Sequence, residues 1–213
     1  MRHGSHRHCD HVLTLGARSG AHLNPALTLA FAWLRKIEPH DAICYALAQF
    51  IGGALGFAAI ALIAGRTLIA APVHGIVTRP GAYGPAGAFT GEASIAFILM
   101  TVVLTLSNAE PPWPRFTGLA AGCCVAAFVT FEAPLSGMSL NPARTTASAL
   151  VVNDWTSIWI YFAAPLAGML AAAAVYIQMR GAGAVRCARL NHRGSARCIF
   201  RCGYAVPTLP SAP

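Results

Sequence analysis

Charged side chains are what this sequence has least of. Only 10% of its 213 residues are Asp, Glu, Lys or Arg and just seven are acidic, whereas 56% are hydrophobic and the mean hydropathy is +0.56. Soluble domains carry about 25% charged residues, so this balance excludes one and indicates a polytopic all-α membrane protein. The chain also lacks the parts of an enzyme. It has no nucleophile–base pairing, no phosphate loop and no metal-ligand cluster of recognised spacing, so neither catalysis nor a cofactor nor a resident metal is expected. No cleavable signal peptide is expected, because residues 1–18 lack an apolar core. The seven Cys do not show the spacing of a secreted disulfide framework. Cys44, Cys123 and Cys124 lie inside apolar runs and read as small core residues. A net charge of +8 would suit a nucleic-acid binder. The positive residues fall mostly between or outside the apolar runs, however, and no nucleic-acid partner is expected.

What is present is a set of apolar segments built around a repeat. Residues 42–65, 90–108, 116–133 and 156–178 read as full transmembrane spans. The first contains Gln49 and the small-residue run Gly52, Gly53, Ala54 and Gly56, which suits close helix packing. Pro165 lies inside the last. Residues 66–89 read as a long Gly- and Pro-rich loop, and 109–115 as a short stiff one. Between these segments one motif occurs twice: Gly20-Ala-His-Leu-Asn24-Pro25-Ala26-Leu-Thr-Leu-Ala30 and Gly137-Met-Ser-Leu-Asn141-Pro142-Ala143-Arg144-Thr-Thr-Ala147. One Asn-Pro-Ala is a weak signal, but two with matching flanks constitute an internal repeat. Asn is a favoured N-cap and Pro a favoured first helical residue, so each triplet predicts a helix start, at 24–34 and 141–151. Neither helix reaches the ~20 residues a bilayer requires. Two half-length helices predict discontinuous elements whose positive N-terminal ends point at the membrane midplane.

The paired boxes resemble those of the aquaporin, or major intrinsic protein, family, and the second is followed by Arg144 as in that family. The resemblance covers about residues 19–178. It implies an aquaporin-like inverted repeat with two re-entrant half-helices, a passive channel for water, and a homotetramer in a lipid bilayer. In that family each repeat is span, span, half-helix, span. The second repeat here is complete, whereas the first starts at its half-helix and is N-terminally truncated by two spans. A truncated or mis-started sequence is therefore expected, and the odd ends would fit a frame error on either side of an intact middle.

Asn24 and Asn141 are expected at the pore centre, where their amides donate to passing water; the alternative is that each merely caps its helix. Pro25 and Pro142 fix the helix starts, and Ala26 and Ala143 let the ends pack closely. Arg144, a charge inside a membrane segment, is a functional candidate in its own right. By resemblance it is the filter arginine, with an ion pair to Glu132 as the alternative. The resemblance places further filter positions at Val129, where water-selective members often have His, and at Met138. His22 lines the inner vestibule or serves the loop structurally. Glu92 is implied to support the re-entrant loop rather than to relay protons. Glycerol-conducting relatives usually carry Asp after the filter Arg, where this chain has Thr145. Tyr161 and Phe162 also sit nearer the water-channel pattern. Water is favoured, with small neutral solutes or glycerol, or a non-conducting fragment, as alternatives. A secondary transporter also uses broken helices, but the paired boxes favour a channel.

Three domains result: a basic, His-rich segment at 1–18, the partial channel at 19–178, and a basic tail at 179–213 expected to be disordered. A metal site on His3, His6, His8, Cys9 and His11 is conceivable, as is a zinc site on Cys187, His192, Cys198 and Cys202; neither has a recognised spacing. Attraction of the tail to anionic lipid is a further possibility. With the turn at 35–41 cytoplasmic, most Arg outside the spans fall on the same side, so both termini are predicted cytoplasmic in a multi-pass cell-membrane protein.

Overall fold

A computed structural model describes residues 19–70, 73–190 and 198–204, and every described element is helical or irregular. The His-rich segment and His192 lie outside the described residues. Six principal helices carry the fold: α1 Pro25–Trp33, α2 Pro39–Ala64, α3 Gly84–Ser107, α4 Thr117–Phe131, α5 Pro142–Val152 and α6 Ile160–Arg180. Four segments are long and apolar enough to cross a membrane: α2, α3, Trp113–Phe131 (which contains α4) and α6.

Local chemistry sets the boundaries. Asn24 and Asn141 hold extended backbone (φ −135° and −141°), and each is followed by Pro in the first helical turn. The Oδ1 of each accepts a backbone N–H two residues on, from Ala26 at 2.9 Å and from Ala143 at 3.0 Å. α1 stops where Arg35 turns into the left-handed region (φ 59°), and Pro39 then opens α2. α3 begins at Gly84, six residues before the predicted start at 90. The Gly-Pro pair that reads as loop is tolerated in a first turn, where Pro lacks nothing the helix needs.

α3 and α6 form the central pair. At Gly168 an added Cβ would lie 2.1 Å from the Ala93 carbonyl oxygen, so only Gly permits this backbone approach. Met100, Val103, Leu104, Met169, Ala172 and Ala173 are buried along the same seam. α1 packs against α2 and α6, and α5 against α2. Gly53 of α2 is the close point there, with an added Cβ only 3.2 Å from the Ala143 carbonyl oxygen. The opposite face of α2 exposes Ile43, Leu47, Ile51 and Leu55 at a spacing of four, an apolar stripe for lipid or another helix.

The half-helices enter from opposite faces. α1 ends at the surface where α2 starts. α5 ends where the loop after α2 lies, tied there by the ion pair of Arg79 with Asp154. Nine and eleven residues at 1.5 Å each give twenty in all, about 30 Å, one hydrocarbon thickness.

Two further expectations are corrected. Cys44 of α2 and Cys123 of α4, read as core residues, are exposed on the outer faces of their helices. Within the tail read as disordered, residues 185–190 and 198–204 pack against the end of the helical domain. Val185, Cys187, Ala188 and Phe200 are buried. Phe200 stacks on His22 with ring centroids 5.7 Å apart, and Arg201 pairs with Glu38. The composition of the tail hides this, because its few apolar residues are spaced irregularly among arginines.

Candidate functional site

Each half-helix is preceded by backbone in the left-handed region: Gly20 (φ 72°) and Ala21 (φ 58°) before the first, Gly137 (φ 80°), Met138 (φ 45°) and Leu140 (φ 59°) before the second. Non-Gly residues adopt this conformation only when their surroundings enforce it. For the second loop the enforcing group is Glu92 of α3, which is fully buried. Its Oε1 accepts from the Ser136 hydroxyl at 2.9 Å and the Ser139 N–H at 2.5 Å, and its Oε2 from the Leu140 N–H at 2.8 Å. A buried carboxylate is tolerated when hydrogen bonds satisfy it in this way. Tyr161 adds a bond from its hydroxyl to the Ser136 carbonyl at 2.6 Å. Ser139 and Thr145 are hydrogen-bonded, and Thr145 meets Thr78 at 3.0 Å.

The first loop is held differently. Gln49 of α2 donates from Nε2 to the His22 carbonyl at 2.9 Å and to the Thr28 hydroxyl at 3.0 Å. His22 is buried, with Nδ1 3.2 Å from the Thr28 hydroxyl and Nε2 2.8 Å from the Ala188 carbonyl. Its side chain thus joins α1 to the C-terminal segment.

The two boxes meet at their caps. Asn24 donates from Nδ2 to the Leu140 carbonyl at 2.7 Å, and Asn141 donates from Nδ2 to the Leu23 carbonyl at 2.8 Å. Each Asn thus caps its own helix with its oxygen and binds the carbonyl just before the opposite Asn with its nitrogen. An amide nitrogen carries two N–H groups, so each Asn keeps one donor beyond this exchange. Capping of each helix and contact between the two boxes are thus made by the same pair of side chains. Two helix N-termini, each worth about half a positive charge, face each other there.

Beside the caps lies a cavity of about 590 Å³, lined by His22, Gln49, Asn141, Ala143 and Arg144 with the small-residue face of α2. Next to Gly52 and Gly56 there is open space, so the cavity is open-sided. Arg144 is half-buried, and its Nη1 is enclosed without a hydrogen-bond partner among the described residues. Among the described residues it makes no ion pair with Glu132, whose carboxylate is buried against Gly91 of α3. Met138 is buried behind the loop, and Val129 is 54% exposed on α4; neither lines this cavity. Sequence reasoning missed Ser136, Ser139, Thr28 and Thr78. Isolated hydroxyls in an apolar chain give no pattern of their own, and only the buried partners reveal their use. Gln49, by contrast, was visible as a polar residue in a charge-free span.

Comparison with known proteins fits this geometry. Residues 9–176 match the family described as major intrinsic protein. The chain is 38% identical over 169 residues to "Aquaporin NIP1-3" of Oryza sativa subsp. japonica, covering 79% of this chain and 57% of that protein. It is 36% identical over 172 residues to "Probable aquaporin AqpM" of Archaeoglobus fulgidus, covering 78% and 69%. Against several plant relatives the chain spans less than two thirds of their length. The fold is similar to that of the aquaglyceroporin from Plasmodium falciparum, with a TM-score of 0.65, 20% identity, and coverage of 73% of this chain and 71% of that one. On the paired boxes, their inverted arrangement and these matches, the chain belongs to the major intrinsic protein family.

Proposed function

We propose that this chain forms the pore of a passive membrane channel for water, with small neutral solutes as further cargo. The observation that carries the reading is the reciprocal exchange between Asn24 and Asn141 at the facing helix ends. One remaining amide donor on each Asn offers a water oxygen two partners in sequence, and the facing dipoles oppose a proton or cation at the same point. Arg144 adds a fixed positive charge with an unused N–H beside this path. It acts in this reading as the filter group; Val129 and Met138, the filter positions that the family resemblance implies, do not line the cavity beside it. Glu92 is a support for the loop. The conduction path contains no group proposed to do catalysis.

The arginine distribution supports an orientation with the α1–α2 turn and both termini in the cytoplasm, and assembly is proposed as a homotetramer. A second reading, a non-conducting fragment that associates with intact relatives, is favoured by the open side of the cavity at Gly52 and Gly56.

The test is osmotic shrinkage of liposomes carrying the chain, by stopped-flow light scattering, beside empty liposomes and an Arg144→Ala/Asn141→Ala variant. Shrinkage faster than in empty liposomes, and slowed in the variant, is expected. Inserted protein that shrinks no faster than lipid alone would leave the fragment reading in its place.

A further inference from the structure

Beyond α6, residues 185–189 and 198–204 run close together and are fastened to the helical domain at several points. The Gly203 N–H donates to the Arg186 carbonyl at 2.7 Å, and the Arg201 N–H to the Lys36 carbonyl at 3.1 Å. The Arg186 N–H donates to Asn108 Oδ1 at 2.7 Å, its guanidinium pairs with Glu110 at 2.5 Å, and the Tyr204 hydroxyl donates to the Ser107 carbonyl at 3.1 Å. This fastening brings Cys187 of the first segment against Cys198 and Cys202 of the second. Their three Sγ atoms all lie within 4.8 Å of one another, and those of Cys187 and Cys198 are 3.5 Å apart. Cys187 is buried and the other two are partly so. The Arg189 N–H lies 3.4 Å from the Cys187 sulfur and donates to it. Such outer-shell N–H contacts support a ligating thiolate.

We propose that Cys187, Cys198 and Cys202 bind a zinc ion through three thiolates, with the fourth position left to water. A Zn–S bond of about 2.3 Å in tetrahedral geometry sets the sulfurs about 3.8 Å apart. The Cys187–Cys198 pair is already near that spacing, and the third sulfur closes by about 1 Å or less. Three sulfurs without an oxygen donor select a soft-accepting ion over calcium or magnesium. Each thiol gives its proton to solvent as the Zn–S bond forms, so affinity rises with pH. Zinc with three thiolates keeps one net negative charge. The Arg189 N–H already directed at the Cys187 sulfur favours the thiolate form. The bound ion clamps the two segments together and thereby holds Phe200 against His22 at the mouth of the first half-helix.

The experiment uses the full chain in detergent, reduced and under anaerobic conditions, with zinc titrated against a chromophoric chelator and cobalt(II) as the spectroscopic substitute. The expected result is one zinc per chain, release of close to three protons at neutral pH, and a sulfur-to-cobalt charge-transfer band. Cys202→Ser should weaken binding at least tenfold. A Cys44→Ser/Cys123→Ser/Cys124→Ser variant should bind as the parent does, and circular dichroism checks that each variant is folded. Equal binding by a folded Cys187→Ser/Cys198→Ser/Cys202→Ser variant overturns the proposal. So does a folded, reduced parent chain that binds no zinc, or thiol counting that finds Cys187 and Cys198 already joined as a disulfide under these conditions. The readout is independent of conduction, so it stands or falls apart from the channel reading.

Discussion

Replacing Glu92 by Gln should cost about 2 kcal/mol of stability, and replacing it by Ala at least about twice that. The difference follows from how the carboxylate is used. Oε1 accepts from two donors and Oε2 from one. Gln keeps one acceptor oxygen and turns the other site into an N–H₂ donor. With that donor toward Leu140, the Leu140 N–H loses its acceptor and meets a competitor. With the amide flipped, the Ser139 N–H loses its acceptor, and the Ser136 hydroxyl alone is able to rotate away. Either way one buried backbone donor is orphaned, at about 1–3 kcal/mol, and the surviving bonds lose their charge assistance. Ala removes both acceptor oxygens, and with them all three bonds, and leaves a cavity as well, so the order of stability is Glu, Gln, Ala. The assay is reversible unfolding in mixed micelles with rising SDS fraction, read by helical circular dichroism. Limited proteolysis at residues 137–140 adds a local readout, because the left-handed backbone at Met138 and Leu140 brackets the Ser139 and Leu140 N–H groups that Glu92 holds. A Gln variant within about 0.5 kcal/mol of the parent, the range of an uninvolved surface position, with that loop equally protected, would refute the reasoning: Glu92 would then fill space without enforcing the loop.

The remaining predictions are smaller. Gly53→Leu should destabilise by about 1–3 kcal/mol, since an added Cβ already sits 3.2 Å from the Ala143 carbonyl and the helices must separate. The adjacent Gly52→Leu meets nothing within 4 Å and should be neutral or gain up to about 1 kcal/mol in helix propensity; equal losses in the same micelle assay would sink the packing argument. Tyr161→Phe removes one buried hydrogen bond to the Ser136 carbonyl and should cost about 1 kcal/mol, and a loss above about 3 kcal/mol would assign the hydroxyl a larger part than one bond. Asp154 is held below the usual carboxylate range, first by the Thr156 hydroxyl and N–H and then by Arg79. A depressed folded value contributes stability at and above the ordinary carboxylate pKa of about 3.9, and that contribution is lost as pH falls through the lower folded value. Asp154→Asn should therefore flatten the acid limb of the stability profile below about pH 4 and leave the rest of its shape unchanged; an unaltered acid limb contradicts the assignment.

Much of this architecture was legible because the bilayer imposes period and length together. Apolar runs of about 20 residues with at most one charge name the spans, and a run too short to cross names a half-helix wherever an Asn-Pro pair supplies both cap and first turn. What the sequence could not carry was partnership. Asn24 and Leu140 are 116 residues apart, and nothing in either box says that an amide nitrogen will bind the carbonyl next to the opposite Asn. The inverted repeat makes the exchange reciprocal, since any contact from the first box to the second returns as its image, and the bond from Asn141 to Leu23 is that image. The supports break the symmetry. The second loop hangs on a carboxylate from α3, whereas the first depends on Gln49 and on a buried histidine that reaches the C-terminal segment through the Ala188 carbonyl. A segment that reads as an arginine-rich tail thus completes the hydrogen bonding of a box residue. Its few apolar side chains suffice because the pocket they enter, between His22, Tyr45 and Phe31, is already aromatic. Composition reports the average of a segment, while packing depends on where its rare residues fall, and Phe200 is the residue on which those two descriptions part.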